Sequence, residues 1–514
     1  MHPRPDFFFL YGPPGSGKSR TGQLLAQRLA LPFYDLDAEI ERRCEQTIPA
    51  IFADQGESGF RARERAALQA VLENNGGVVA LGGGALLDSA CRQLAETNGT
   101  VVCLSAPFET LLARLCGDAS RPLLGGEEER AARLNALLAQ RSQHYASFAL
   151  RLDSDRLSPE QVCDEIQILL GAFHVTGMGA GYDVRVLAGG LERCGALLRQ
   201  RGLQGPVALV CDENVARHHA GGVQRALQAS GYTVQPIVIP PGEAHKTPET
   251  VGRLWQGFLE GGLERGSTVF ALGGGVVGDL AGFAAATYLR GVRWVCAPTT
   301  LLAMADASLG GKTGADLPQG KNLVGAFHPP SLVLADPAVL QTLPEEELRS
   351  GLAEVVKHGI LQDETLFARC ARGWPAVAEP DWGEVVRRAV AVKVRFIETD
   401  PYERGVRAAL NLGHTIGHGV ERLSDYRIRH GEAVAIGLVA EARLAERIGL
   451  AESGLAEHIR GVLSGLGLPT EIPAEMDPQT LQSAMQVDKK RAGGRLRYAL
   501  PLRIGAFQVG VEVE

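Results

Sequence analysis

The chain has 514 residues, more than one ordinary hydrophobic core accommodates, so two or three domains are expected. Its 45% hydrophobic and 22% charged content excludes a disordered or fibrous chain. A formal net charge of −7 argues against a nucleic-acid binder, so any basic site must be local. The 63 glycines gather in short runs beside apolar segments, which suits an α/β protein whose loops approach phosphates closely. Nine cysteines without a CxxC pair read as buried thiols of a reducing cytosol. The opening MHPRPDFFFLYG lacks the apolar core of a signal peptide, and no window of about 18 apolar residues could span a bilayer. A cytoplasmic chain with no membrane attachment is expected.

In chain order, DFFFLY, GGVVAL and TVVCLS read as buried strands, and RTGQLLAQRLA, RERAALQAVLE and residues 127–145 as helices. Residues 1–170 are expected to form a compact α/β domain with a parallel sheet. The segment 171–183, GAFHVTGMGAGYD, has four glycines and no helical period and reads as a linker. A second α/β alternation runs over 184–339, with VRVLAG, PVALVCD, TVQPIVIP, STVFALGGG, RWVCAPT and SLVLAD as strands. From about Leu340 the β signal fades, and LPEEELRSGLAEVVKHGIL, WGEVVRRAVAVKVRFIE and GEAVAIGLVAEARLAERIG space their apolar residues as helices do. Residues 340–514 are expected to be mainly helical.

GPPGSGKS, residues 12–19, stands between a strand and a helix, the context a P-loop requires. The N–H groups of Gly12, Gly15, Ser16 and Gly17 would cradle phosphate, Lys18 would reach the β and γ phosphates, and Ser19 would hold Mg²⁺. Asp35 and Asp37, one residue apart in FYDLD, can serve magnesium and a substrate hydroxyl, and one of them also suits a helix N-cap. Arg61 (GFRARE), Gly82, Gly83 and Gly84 (LGGGA), Arg114, Arg121 (SRPLL) and Arg141 (QRSQHY) follow. In this order the set resembles shikimate kinase over residues 5–170. The resemblance implies ATP with Mg²⁺ as cofactors, Asp35 near the metal and Asp37 accepting the proton of the attacking hydroxyl. It further implies Arg61 and Arg141 clamping the substrate carboxylate beside the LGGGA backbone, Arg121 on a closing lid and Arg114 bordering the adenine. Arg20 departs from the threonine more usual after GKS but lies past the cradle.

Further on, Gly273, Gly275 and Gly278 show G-x-G-x-x-G spacing between a strand and a helix, a weak dinucleotide signal by itself. Asp212, at the tip of PVALVCD, offers a carboxylate to ribose hydroxyls, with Asn214 beside it. NLGHTIGH places His414 and His418 one helical turn apart, with Glu354 and His430 as plausible further metal ligands. Together with PGEAHKT, PTTLLAMADASLGGKTG, GKN, GLAEVVKHG and RHGEAVAIG, these segments look like 3-dehydroquinate synthase over residues 181–514.

The resemblance implies Glu354, His414 and His430 around a divalent metal, Zn²⁺ or Co²⁺, with His418 a catalytic group and not a ligand. It implies an NAD site lined by Asp212, Asn214, Glu243, Lys246, Gly273, Gly274, Gly275, Asp279, Thr299, Thr300, Lys312 and Lys321. Catalytic or substrate-holding roles fall to Arg290, Asp306, Lys312, Lys321, Asn322, Lys357, Lys393, Arg407 and Lys489. The implied reaction oxidises a seven-carbon sugar acid phosphate transiently with bound NAD⁺, eliminates phosphate, returns the hydride and closes the carbocycle. The fold class expected is α/β: a P-loop kinase domain, then a Rossmann-like NAD-binding domain, then a mainly helical metal-binding domain. The function expected is a bifunctional enzyme of the shikimate route, a homodimer through its second half that binds no nucleic acid. An alternative joins a kinase of another small hydroxy acid to a different sugar phosphate cyclase, and another makes one half a pseudoenzyme.

Overall fold

The computed structural model describes residues 7–116, 127–489 and 496–513, with the side chains of 127–129 and 486–489 left aside. The chain divides into two compact units, Met1–Ala172 and Phe173–Glu514.

The first unit runs β1 (Phe7–Tyr11), α1 (Lys18–Arg28), β2 (Phe33–Asp35), α2 (Leu36–Cys44), α3 (Ile48–Val71), β3 (Gly77–Ala80), α4 (Ser89–Asn98), β4 (Gly99–Ser105), α5 (Phe108–Leu115), α6 (Glu127–Ala146), β5 (Leu150–Asp153) and α7 (Pro159–Leu170). Its five strands form one parallel sheet in the order β2-β3-β1-β4-β5. The unbroken apolar run of β1 has a physical cause. Phe7, Phe9 and Tyr11 enter the core on one face of the sheet, whereas Phe8 and Leu10 enter the core on the other. The phosphate loop leaves β1 at its carboxyl end. Gly12 has φ 135°, and a Cβ there would overlap the Leu104 carbonyl oxygen, so only glycine lets the loop pass so close to β4.

The second unit opens with β6 (Ala172–Val175) and β7 (Tyr182–Val186), both within or overlapping the stretch expected as a linker. That expectation is corrected: the alternation in AFHV and YDVRV is the signal of short strands, and the intervening glycines only turn the chain. His174 and Arg201 fasten the segment through Asp183, at 2.8 Å each. There follow α8 (Cys194–Gln200), β8 (Val207–Asp212), the single turn α9 (Glu213–Val215), α10 (Gly221–Ala229), β9 (Val234–Ile239), α11 (Pro248–Glu260), β10 (Thr268–Gly273), α12 (Gly275–Thr287) and β11 (Arg293–Pro298). A hairpin of β12 (Lys312–Leu317) and β13 (Gly320–Phe327) precedes β14 (Leu332–Ala335). The main sheet has the order β6-β7-β14-β11-β10-β8-β9, and β10, buried at every position, lies in its interior.

The remaining elements are α13 (Glu345–Gln362), α14 (Glu364–Cys370), α15 (Gly383–Thr399), α16 (His414–Leu423), α17 (His430–Arg447), α18 (Leu455–Gly465), α19 (Pro478–Lys489), β15 (Arg497–Arg503) and β16 (Ala506–Glu512). The region is mainly helical as expected, but it ends in an antiparallel hairpin. Its turn is marked by Gly505 at φ 82°. Helices α16 and α17 cross at glycine distance. A Cβ on Gly437 would overlap the Gly413 carbonyl oxygen, and one on Gly417 would come within 2.9 Å of the Ala433 carbonyl. Among the described residues no helix is long and apolar enough to cross a membrane.

Candidate active sites

In the first unit the phosphate loop ends where α1 begins, so its N–H groups and the helix pole face one concavity. Lys18 Nζ donates to the carbonyls of Gly12 and Pro13, both at 2.9 Å, which holds the ammonium over the loop. Gly15 and Gly17 take positive φ, and Ser16 is buried and bonds to Pro13. Ser19 Oγ donates to Asp35 Oδ2 at 2.7 Å, bringing a hydroxyl and a carboxylate together as a magnesium site requires. The other Asp35 oxygen caps α2 through Asp37 N at 3.1 Å, the N-cap role its sequence position allowed.

The two candidate clamp arginines converge. A Cβ on Gly84 would lie 2.8 Å from Arg61 Nη2 and 3.3 Å from Arg141 Nη1, so both guanidiniums flank one bare backbone position. On Gly82 a Cβ would lie 3.0 Å from Asp37 Oδ1, which puts that carboxylate in the same pocket. The Gly83 carbonyl accepts from Arg141 Nη1 (3.1 Å), Tyr145 OH (2.7 Å) and Tyr11 OH (3.3 Å). Arg114 donates to Ser154 Oγ (3.1 Å) and to the Ser154 carbonyl (2.9 Å). Ser154 Oγ in turn reaches the Ser16 carbonyl at 3.3 Å, which connects Arg114 to the phosphate loop. Arg121 lies outside the described residues.

Sequence reasoning missed Glu64. It is 1% exposed, pairs with Arg61 Nη1 at 2.7 Å, and burial pushes its carboxyl up to about 7 despite that arginine. Its i,i+3 spacing from Arg61 was the available signal.

In the second unit a cleft of about 1170 Å³ lies at the carboxyl ends of the strands, between the sheet and α16–α17. Asp212, Asn214, Glu243, Lys246, Gly274, Gly275, Asp279, Thr299 and Thr300 line it, with Asp306, Lys321, Asn322, His418 and His430. Gly273 ends β10 and Gly274 caps α12 without any side chain, leaving the helix N–H groups open to a ligand. Asp212 Oδ1 is engaged by Asn214 N (2.8 Å) and Val215 N (3.0 Å). Lys246 bridges Asp279 (2.7 Å) and Asn322 Oδ1 (2.6 Å).

At the inner end of the cleft, Glu354 Oε1 lies 3.2 Å from His414 Nε2 and 3.3 Å from His430 Nε2. The three residues come from α13, α16 and α17, and their donor atoms fit around one cation. His414 Nδ1 is 3.1 Å from the Leu412 carbonyl, which assigns the proton to Nδ1 and leaves the Nε2 lone pair inward. Burial, with Lys357 nearby, lowers His414 to about 4. Burial opposes charge on His430 as well, but Glu354 and Glu421 outweigh it and raise that imidazole to about 9. His418, with its ring 5.2 Å from that of His414 and 6.0 Å from that of His430, faces the cleft beside them.

Behind this cluster, Lys357 pairs with Glu354 and lies 3.9 Å from Asp306. Lys393 also pairs with Asp306. Burial resists ionisation of Asp306, yet the two lysines hold it well below the usual carboxylate range. Lys312 pairs with Glu403, and Arg407, 2% exposed, binds the Pro401 carbonyl. Arg407 lies against Gly310, where a Cβ would overlap its guanidinium. The structure does not bring Arg290 to this group: it is exposed, at φ 67° in a turn after α12, and does not line the cleft. Lys489 ends α19, and its side chain lies outside the described residues. Sequence reading also missed Glu403, Asn411 and Glu421. Asn411 donates to Glu403 at 3.2 Å, and Glu421 Oε2 meets His430 Nδ1 at 3.3 Å. The spacing HGVE, three residues from His418, was the legible trace of Glu421.

Fold and sites define a P-loop phosphotransferase joined to an α/β enzyme with a carboxylate–imidazole cluster at the mouth of its sheet. Residues 14–170 match the shikimate kinase family model, 236–350 the 3-dehydroquinate synthase N-terminal model and 351–491 its C-terminal counterpart. The 3-dehydroquinate synthase of Synechococcus sp. is 45% identical over 341 residues, covering 65% of this chain and 92% of the relative. That of Symbiobacterium thermophilum is likewise 45% identical, covering 65% and 94%. Among solved structures, 2-epi-5-epi-valiolone synthase of Streptomyces hygroscopicus, with NAD⁺ and Zn²⁺ bound, is 31% identical at a TM-score of 0.60, covering 65% and 93%. The chain belongs to the 3-dehydroquinate synthase family and carries a shikimate kinase ahead of it, a bifunctional enzyme of the shikimate route to chorismate and the aromatic amino acids.

Proposed function

We propose that the two activities rest on the two constellations above, one in each unit. In the kinase half, Asp37 accepts the proton of the shikimate hydroxyl that attacks ATP, and Arg61 and Arg141 grip the shikimate carboxylate. Lys18 and the loop N–H groups hold the phosphates, and Ser19 with Asp35 would hold Mg²⁺.

In the synthase half, Glu354, His414 and His430 would hold the divalent metal, and the cleft from Asp212 to Thr300 would hold NAD. The donor set fits: two inward imidazole nitrogens and one buried carboxylate oxygen converge, leaving open positions. When bound, the dinucleotide supplies reversible oxidation and the metal polarises substrate hydroxyls. Lys312, Asn322, Lys357, Lys393 and Arg407 orient the phosphate and carboxylate of the heptulosonate phosphate. His418 moves protons in the cleft beside the cluster, and Asp306 sets the positions of Lys357 and Lys393. The observation that carries this reading is the shared approach of His414 and His430 to one Glu354 oxygen. Assays of Lys18→Ala and His414→Ala in the full chain test it: each substitution must abolish one activity and spare the other.

We further infer a homodimer through the α/β part of the synthase half. Edge strand β9 exposes Val238, and α11 exposes Trp255 and Leu259, apolar surface that a second copy would cover. Light scattering of the full chain and of Leu259→Glu checks it. The cytoplasm is the compartment proposed, supported by nine unpaired cysteines.

A further inference from the structure

Helix α16 begins at His414, and its N-cap is Gly413, which has no side chain to satisfy the open N–H groups of the first turn. The cap comes instead from α17. Glu441, 0% exposed, accepts from Gly413 N through Oε2 at 2.6 Å and from Ile416 N through Oε1 at 3.2 Å. The Thr415 N–H also bears on the same carboxylate. These donors flank His414 on both sides in sequence. A buried carboxylate is costly, and here its partners are backbone N–H groups at the positive pole of a helix. The neighbouring contacts leave no slack, because Gly413 carries φ 80° and a Cβ there would meet Leu438 at 2.8 Å.

We propose that Glu441 is a positioning residue for the metal centre, an inference that rests on the ligand set assigned above. By clamping the first turn of α16 onto α17, it fixes the backbone from which His414 projects. The Leu412 carbonyl then fixes the ring, so Nε2 meets Glu354 at 3.2 Å. Glu441 touches neither substrate nor metal; it acts through the peptide units on either side of a ligand.

The test uses the full chain and Zn²⁺ itself, in competition with a chromophoric chelator, on wild type, Glu441→Gln, Glu441→Ala and His414→Ala. Visible spectra of the Co²⁺-loaded forms accompany it. Glu441→Ala is expected to weaken Zn²⁺ binding by about ten- to a hundredfold and to alter the Co²⁺ spectrum, as loss of a ligand-orienting contact does. The isosteric Glu441→Gln keeps one acceptor oxygen and is expected to fall between. Its synthase kcat at saturating Zn²⁺ should approach wild type while the Zn²⁺ needed for half activation rises. A lowered melting temperature with unchanged Zn²⁺ affinity and Co²⁺ spectrum would reduce Glu441 to a structural cap and overturn the proposal. If Glu441→Ala is insoluble, a Glu441→Gln indistinguishable from wild type in both metal readouts overturns it equally. Wild-type Zn²⁺ affinity in His414→Ala would instead remove the ligand assignment itself.

Discussion

Lys321 Nζ stands 3.0 Å from Glu421 Oε1, an ion pair that spans the synthase cleft from the β12–β13 hairpin to α16. The second oxygen of Glu421 meets His430, so one carboxylate joins a lysine at the cleft wall to an imidazole of the cluster. Burial resists ionisation of Glu421, but His430 and Lys321 draw its carboxyl down to about 2, leaving it charged at any working pH.

Glu421→Gln is accordingly expected to weaken Zn²⁺ binding by about ten- to a hundredfold, the usual cost of losing the carboxylate behind a metal-ligating histidine. Chelator competition checks this, and shikimate kinase activity measured on the same protein should stay at the wild-type level.

Gly437→Ala places a methyl group on the Gly413 carbonyl oxygen, a contact with backbone that no rotamer relieves. Helices α16 and α17 must separate, and His414 and His430 with them. We expect a destabilisation of about 2–3 kcal/mol, in the range of overpacked cores, together with loss of synthase activity. Gly461→Ala, inside α18 with nothing within 4 Å, is the control: it should keep synthase activity and stabilise by about 0.5–1 kcal/mol.

Asp183 is pulled down to about 2, where burial would raise it, by His174, Arg185 and Arg201. A depressed carboxylate stabilises the fold above its unfolded value and loses that contribution as pH falls through the folded one. The window here runs from about 4 down to about 2, and the full contribution is about 2 kcal/mol. Denaturant unfolding should show Asp183→Asn less stable than wild type by roughly that amount at pH 7, with the gap narrowing at pH 3. An equal gap at both pH values would count against the ion-pair account.

Because β6 belongs to the second sheet, a synthase fragment beginning at Phe173 should be more stable than one beginning at Tyr182, which lacks that strand. Thermal melting of the two fragments, each with its own synthase assay, decides the point.

Much of this was legible because periodicity and local chemistry agreed. The β1 run FFFLY and the β10 run VFALG are apolar on both faces, and each leads straight into a glycine turn. The convergence of Glu354, His414 and His430 was readable from short motifs, although 76 positions separate the first from the last. The expected linker failed because glycine was read as slack, whereas Gly177 and Gly181 make turns between paired strands. Hairpin β12–β13 was hidden because β13 is short of buried positions and interrupted by glycine, and its GKN was read for chemistry alone. The closing hairpin was overlooked because helical periodicity upstream set the expectation, although YALPL between two arginines is a short continuous apolar run of the kind a buried strand makes. Glu64 and Glu421 left only faint traces, their three-residue spacing from Arg61 and from His418, and Glu441 left none. Spacing alone does not separate a buried glutamate from the solvated majority until its partners are known.

The borrowed cap of α16 also bears on how the synthase half is assembled. An isolated α16 would open with glycine and no side-chain acceptor, so its first turn, and the imidazole at its start, gain order only once α17 has docked. The place of His414 in the cluster is thus owed to a neighbouring helix as much as to its own.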